Sequence, residues 1–323
     1  MTKPLVSLLI PCYNHEQFLD DCLESIIRQD YANIELLICD DCSPDNSYAK
    51  ILSYKERLKA RFPRVEILKN EVNCGVTKNV NRMLALAKGT YVKTLASDDA
   101  MAPNAIGEMV DYLQENPDIQ VAVANGVTVL EQERYPNFTP QGNIYDSAPD
   151  FSPEGFFLRV ARCNPISAPA AMVRMSVYET YGMYDETVKV EDYEFWLRVL
   201  KQGQTRFGFL DKPLLYYRIN ANSMTSATHN AGLADRRQRF HQSEMDTLHK
   251  FREAFPPDMF AAIVLEHIHT ERCVAVSHKL WEWEAALYQS WKSFDGWKDL
   301  PCKMRLHLRY QGLRQTIKKV IAK

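Results

Sequence analysis

Apolar runs alternate with amphipathic stretches along residues 1–130, and this alternation constrains the fold more than any other feature. "LVSLLIP" reads as a buried strand ended by Pro11. "HEQFLDDCLESIIRQ" then places Phe18, Leu19, Cys22, Leu23, Ile26 and Ile27 at helical spacing. The pair repeats as "IELLICDD" and "DNSYAKILSYKERLKARF", the latter with Asp45 or Asn46 as helix cap. It repeats again as "VEILKN" and "GVTKNVNRMLALAKG", with Gly89 expected to close the helix. "TYVKTLASDD", "NAIGEMVDYLQENP" and "IQVAVANGVTVL" supply a fourth strand, a fourth helix and a fifth strand.

Strands joined by connections of helix length predict an α/β fold, a mostly parallel sheet with helices on both faces. Such sheets bind ligands at the carboxyl ends of their strands. Asp40–Asp41, Asp98–Asp99 and the Pro11–Asn14 segment all fall at such ends, so three loops distant in sequence are expected to share one edge. Residues 131–155, with four prolines and two glycines, break the rhythm and read as a long loop. The segments that follow mix helix and strand. From about Ala227 the chain reads as helical, ending in 23 residues that hold seven Lys or Arg and no acid. That tail is either a membrane-surface or partner-docking helix, or a solvated helix whose basic residues suit its C-terminal dipole.

A formal net charge of -2 leaves no global field for nucleic acid. The start of the chain lacks the layout of a signal peptide, and no stretch has the length of a membrane span. The expected location is the cytoplasm, or the inner face of the cytoplasmic membrane. Cys39 and Cys42 form a C-x-x-C, but no second pair completes a zinc set, and free thiols are expected.

Asp98 and Asp99 suit a hard cation, Mn²⁺ or Mg²⁺, whose remaining ligands are water and substrate phosphate. Equally, either acid can cap the helix beginning near Pro103. Glu191 and Asp192 open "VEDYEFWLRVL", where acids also favour the helix dipole. Trp196 and Leu197 read as core, and His267 and His269 lie on different helix faces.

"VSLLIPCYNHEQFLDDCLESIIRQDYANIELLICDDCSPDNS" and "NCGVTKNVNRMLALAKGTYVKTLASDD" resemble family 2 glycosyltransferases of the GT-A fold. "AAMVRMSVYETYGMYDE", "EDYEFWLRVLKQG" and "YYRINANSMTS" continue the resemblance in family order to about residue 226. The implied layout is a GT-A domain over 1–226, with a nucleotide-sugar half (1–130) and an acceptor half (131–226), then a helical region over 227–323. The resemblance implies that Pro11 and Tyr13 pack on the nucleotide base and that Asp40 hydrogen-bonds a uracil ring. It places Asp98 at the ribose, Asp99 on the metal and Asp192 as general base. Asn14, Lys78 and Asn81 complete the expected nucleotide-sugar contacts.

One base and one metal suffice for a single displacement, which inverts the anomeric centre. The expected activity moves a sugar from a nucleotide sugar, UDP-linked, to a glycan or lipid-linked glycan hydroxyl in cell-surface polysaccharide synthesis. The alternatives are a sugar-nucleotide binder without catalysis and, less favoured, a sugar nucleotidyltransferase, which would want a Gly-rich basic loop where "PCYNHEQ" stands. The helical C-terminal region could also pair two copies of the chain. Three positions depart from the family: Cys42 replaces a glycine, a diphosphate arginine is displaced to Lys78 or Arg82, and Asn220 replaces a metal-site histidine for which His229 is a substitute.

Overall fold

A computed structural model describes residues 3–129, 153–218 and 233–277. The chain divides into two compact units, Met1–Val160 with Asn164–Ser226 and Ala161–Cys163 with Ala227–Lys323. The elements run β1 (Val6–Cys12), α1 (Leu19–Ile27), β2 (Ile34–Asp40), α2 (Ser47–Ser53), α3 (Lys55–Arg61), β3 (Arg64–Lys69) and α4 (Val76–Leu84). They continue with β4 (Tyr91–Thr94), β5 (Ala100–Met101), α5 (Ala105–Glu115), β6 (Val121–Val129), α6 (Pro153–Arg162), β7 (Ala171–Arg174), α7 (Met175–Tyr181), α8 (Glu191–Leu200) and β8 (Phe207–Arg218). The second unit carries α9 (Leu233–Lys250) and α10 (Pro257–Ser277).

One sheet holds all the strands in the order β3-β2-β1-β4-β7-β6-β8-β5. β1 pairs in parallel with β2 and β4, and β2 with β3. β7 runs antiparallel to both β4 and β6, while β6 and β8 are parallel and β5 is antiparallel to β8. The parallel expectation therefore holds, with β7 and β5 as the reversed strands. β1 and β2 are apolar throughout because helices cover both faces: Leu8, Leu9, Ile10, Leu36, Leu37 and Ile38 are fully buried. α1 contributes Leu19, Cys22, Leu23 and Ile26 to that core. Trp196 is core as expected, edge-on to Phe207 at 5.6 Å.

Three details differ from the sequence expectation. The second helix breaks at Tyr54, whose N–H closes a tight turn on the Ile51 carbonyl at 3.1 Å. Gly89 does not cap α4, which stops at Leu84. Its role is close approach, because a Cβ there would stand 2.5 Å from the Ser7 nitrogen. β4 stops at Thr94, and the acids that follow lie in a turn closed by the Asp99 N–H on the Ala96 carbonyl at 3.0 Å.

The turn after β2 passes through the left-handed region at Cys42, φ 58°, where the family carries glycine. A side chain there costs about 1–2 kcal/mol. Glycine returns up to about 1 kcal/mol of that as unfolded-state entropy. Cys42→Gly is therefore expected to be neutral or up to about 1 kcal/mol more stable in thermal denaturation. Cys42→Val, β-branched at positive φ, is expected to lose more than about 1 kcal/mol.

Candidate active site

The carboxyl ends of β1, β2 and β4 are tied to one another. The Asp41 N–H donates to the Cys12 carbonyl at 2.8 Å, and the Asn14 N–H to Ser43 Oγ at 2.9 Å. The Leu95 N–H donates to the Leu9 carbonyl at 2.9 Å. His15 reaches across from the first loop, with Nδ1 2.8 Å from Ser97 Oγ and Nε2 3.8 Å from Asp98 Oδ2. Asn14 itself sits at φ 57°, a left-handed conformation asparagine tolerates. Tyr13 is exposed at this edge and Pro11 half-buried.

The first acid pair divides its work. Asp41 faces inward. Its Oδ1 accepts from Asn70 Nδ2 (2.7 Å) and the Cys74 N–H (3.0 Å), and its Oδ2 from the Gly75 N–H (2.8 Å). Burial alone would raise its pKa, but these bonds hold the carboxyl below its usual value. Asp41 thus fixes the entry to α4. Asp40 is fully buried. Its Oδ2 accepts the Ser43 N–H at 3.1 Å, and its Oδ1 has no partner.

The second pair is divided likewise. Asp99 is buried, its Oδ1 accepts the Arg218 N–H at 2.9 Å, and its Oδ2 has no partner. Burial, and then repulsion from Asp98, pushes its pKa well above the carboxylate range, while the Arg218 N–H and the charges of Arg218 and Lys93 oppose the rise. Arg218 and Lys93 were not among the site residues expected from sequence. Arg218, at the end of β8, is buried, with Nε on the Asp98 carbonyl at 2.9 Å and an ion pair to Asp21 at 2.8 Å. Lys93 is buried within β4 and donates to the carbonyls of Pro169 and Thr94; burial pushes its pKa down to about 7. For Lys93 the available signal was a charged residue inside a short strand that is otherwise uncharged.

At the start of α8, Asp192 Oδ2 accepts from Asn164 Nδ2 at 3.3 Å and its Oδ1 from the Tyr193 N–H at 2.7 Å. Burial raises its pKa to about 6 against those two bonds. Burial, and then the Asp192 charge, raises Glu191 to about 8. The two adjacent carboxyls titrate as a pair, both pushed up by burial.

The remaining expected contacts lie apart from one another in role. Lys78 is exposed on α4. Asn81 is buried, and its amide serves the fold: Nδ2 donates to the Tyr184 carbonyl (2.9 Å) and Glu186 Oε1 (3.1 Å), and Oδ1 accepts the Tyr184 N–H (3.1 Å). Arg82 holds Lys69 and Asn70 and so buttresses Asp41. Cys39 and Cys42 are free thiols. Asn220, His229, residues 131–152 and the basic tail lie outside the described residues. Among the described residues no helix is long and apolar enough to cross a membrane.

TuaG of Bacillus subtilis, whose name assigns it to teichuronic acid biosynthesis as a glycosyltransferase, is 27% identical over 252 residues, 76% of this chain and 90% of its own. The crystal structure of S. aureus TarS 1-349 in complex with UDP superposes with a TM-score of 0.61 at 18% identity, over 95% of this chain and 86% of that one. The mannosyltransferase PcManGT of Pyrobaculum calidifontis, in complex with GDP-Man and Mn²⁺, gives 0.57 at 15% identity, over 98% and 88%. These likenesses carry the GT-A fold. The glycosyl transferase family 2 model matches residues 7–182, more than half of the 323, so the chain belongs to that family and is a glycosyltransferase with relatives in cell-surface polysaccharide biosynthesis.

Proposed function

We propose that this glycosyltransferase is inverting and metal-assisted, taking a sugar from a UDP-linked donor to a hydroxyl of a glycan or lipid-linked glycan during surface polysaccharide assembly. The observation that carries this reading is a pair of buried carboxylate oxygens without partners, Asp40 Oδ1 and Asp99 Oδ2, at the ends of β2 and β4. A buried acceptor left unpaired costs about 1–3 kcal/mol, so both are suited to a ligand that supplies donors or positive charge.

Asp40 Oδ1 suits a ring N–H of the base, beside the exposed face of Tyr13. Pro11 and Asn14 line the same loop, with Lys78 available to a phosphate from α4. Asp98 remains the ribose contact in this reading. Asp99 fits a divalent cation of the Mn²⁺ or Mg²⁺ kind: its bare oxygen is hard, and such ions take one or two carboxylates and fill their shells with water and phosphate. Bound there, the ion would neutralise charge developing on the departing diphosphate. TarS with UDP and PcManGT with GDP-Man and Mn²⁺ support the donor class.

Asp192 is the base. Its pKa of about 6 leaves it ionised yet more basic than an ordinary aspartate at neutral pH. Asn164 aims it, and the upward push on Glu191 lessens the negative charge beside it. The Asn164–Ala170 segment, which touches both Asp192 and Lys93, is then the acceptor-side wall. The domain layout is read as a catalytic domain over 1–226 and a helical region over 227–323 whose basic tail docks on anionic lipid at the inner membrane face.

UDP with Mn²⁺ is expected to raise the melting temperature, because a ligand bound only to the native state stabilises it. Asp99→Ala is expected to abolish the Mn²⁺-dependent part, and an undiminished shift in that variant removes the metal assignment. Asp192→Asn is expected to keep UDP binding while turnover falls about 10²–10⁴-fold. For the unsubstituted enzyme, kcat/KM is expected to fall as pH drops through about 6, where Asp192 takes up its proton. Deletion after Leu300 is expected to release the protein from anionic vesicles in a co-sedimentation assay. Equal sedimentation of both forms refutes the lipid role of the tail.

A further inference from the structure

We propose that Arg218 is a positioning residue for the metal-facing carboxylate, acting as a buried pin that locks the Asp98–Asp99 turn against α1. The inference rests on the metal reading of Asp99 given above. Arg218 stands at the last position of β8 and is 1% exposed. Its groups engage both halves of the acid turn. The main-chain N–H donates to Asp99 Oδ1 at 2.9 Å, and the side-chain Nε donates to the Asp98 carbonyl at 2.9 Å. One terminal nitrogen is paired with Asp21 Oδ2 at 2.8 Å, with Asp21 itself buried in α1, and the guanidinium lies over the Phe18 ring at 4.9 Å.

The geometry has a directional consequence. With Asp99 Oδ1 held by the Arg218 N–H, rotation about the carboxylate is blocked and the bare Oδ2 has one orientation. The guanidinium holds the neighbouring peptide through its carbonyl, so the backbone that carries the carboxylate is held as well. A planar fork with fixed donor directions does this, whereas an ammonium on a flexible stem does not. His15 closes the opposite side of the turn through Ser97 Oγ and Asp98 Oδ2, and its ring stands edge-on to the same Phe18.

A buried ion pair is weak evidence for stability, since well-packed apolar residues of similar volume commonly replace one at no loss of fold. That separates positioning from structure. In the full chain, the double variant Asp21→Leu/Arg218→Met and the single variant Arg218→Lys are compared with the unsubstituted protein. Melting is followed by circular dichroism, and Mn²⁺ is titrated calorimetrically in the presence of UDP. Both variants keep the Arg218 N–H on Asp99 Oδ1 and remove the guanidinium's hold on the Asp98 carbonyl. Folded variants are expected to bind UDP alone as before and to bind Mn²⁺ about tenfold or more weakly, the loss typical when a group orienting a metal ligand is removed. Arg218→Lys keeps the charge without the fork, so it carries the test if the double variant fails to fold. Mn²⁺ affinity within about twofold of the unsubstituted protein in a folded variant, well below the tenfold expected, overturns the inference, as does a loss of metal-free UDP binding equal to the loss for Mn²⁺. An unsubstituted protein whose UDP binding ignores Mn²⁺ overturns the metal reading instead, and this inference with it.

Discussion

Asp99 is held out of water at the end of β4 with one oxygen bonded to a backbone N–H and the other bare. A carboxylate in that position needs positive charge, and the protein supplies only a share of it. Arg218 is spent largely on Asp21 and the Asp98 carbonyl, and Lys93 on two main-chain carbonyls. In the proposed reading, the charge left uncompensated there is what a divalent cation would meet. Asp40 repeats the theme across β1, at the end of β2, with one oxygen used to shape its own turn and the other left open.

Two kinds of residue surround these acids. Asp41, Asn70, Asn79, Arg82 and Asn81 form the frame: they hold the starts and ends of α4 and commit their polar groups inside the protein. Asp40 and Asp99 each keep an oxygen without a partner, and Tyr13 keeps a face exposed. The frame explains why neighbours in sequence have opposite roles. Asp41 is bonded through both oxygens while its buried neighbour Asp40 keeps one bare, and Asp98 is half-buried beside His15 while its neighbour Asp99 is buried with one oxygen bare.

The parallel half of the sheet was legible because its strands are buried on both faces and its helices are strongly amphipathic. The converging loops followed from strand polarity alone. The turn at Cys42 was legible too, as a backbone that asks for glycine. The reversed strand β7, the short β5 and the break at Tyr54 were not, since each depends on tertiary pairing rather than periodicity. Gly89 was misread because a glycine after a helix and a glycine beneath a neighbouring strand look alike in sequence. Arg218 was hidden for a related reason: it lies far along the chain from Asp21, and only the fold makes them neighbours.

Three thiols around this edge, Cys12, Cys39 and Cys74, share one chemical fate. Burial pushes Cys12 and Cys39 up to about 12; burial, and then the Asp41 carboxylate that accepts its S–H, pushes Cys74 up to about 11. The thiolate is the nucleophilic form, and here it is almost wholly suppressed at neutral pH. These three thiols are thereby poor nucleophiles toward alkylating reagents. Cys12 and Cys39 serve as packing material, and Asp41, which frames α4, also holds the Cys74 proton in place.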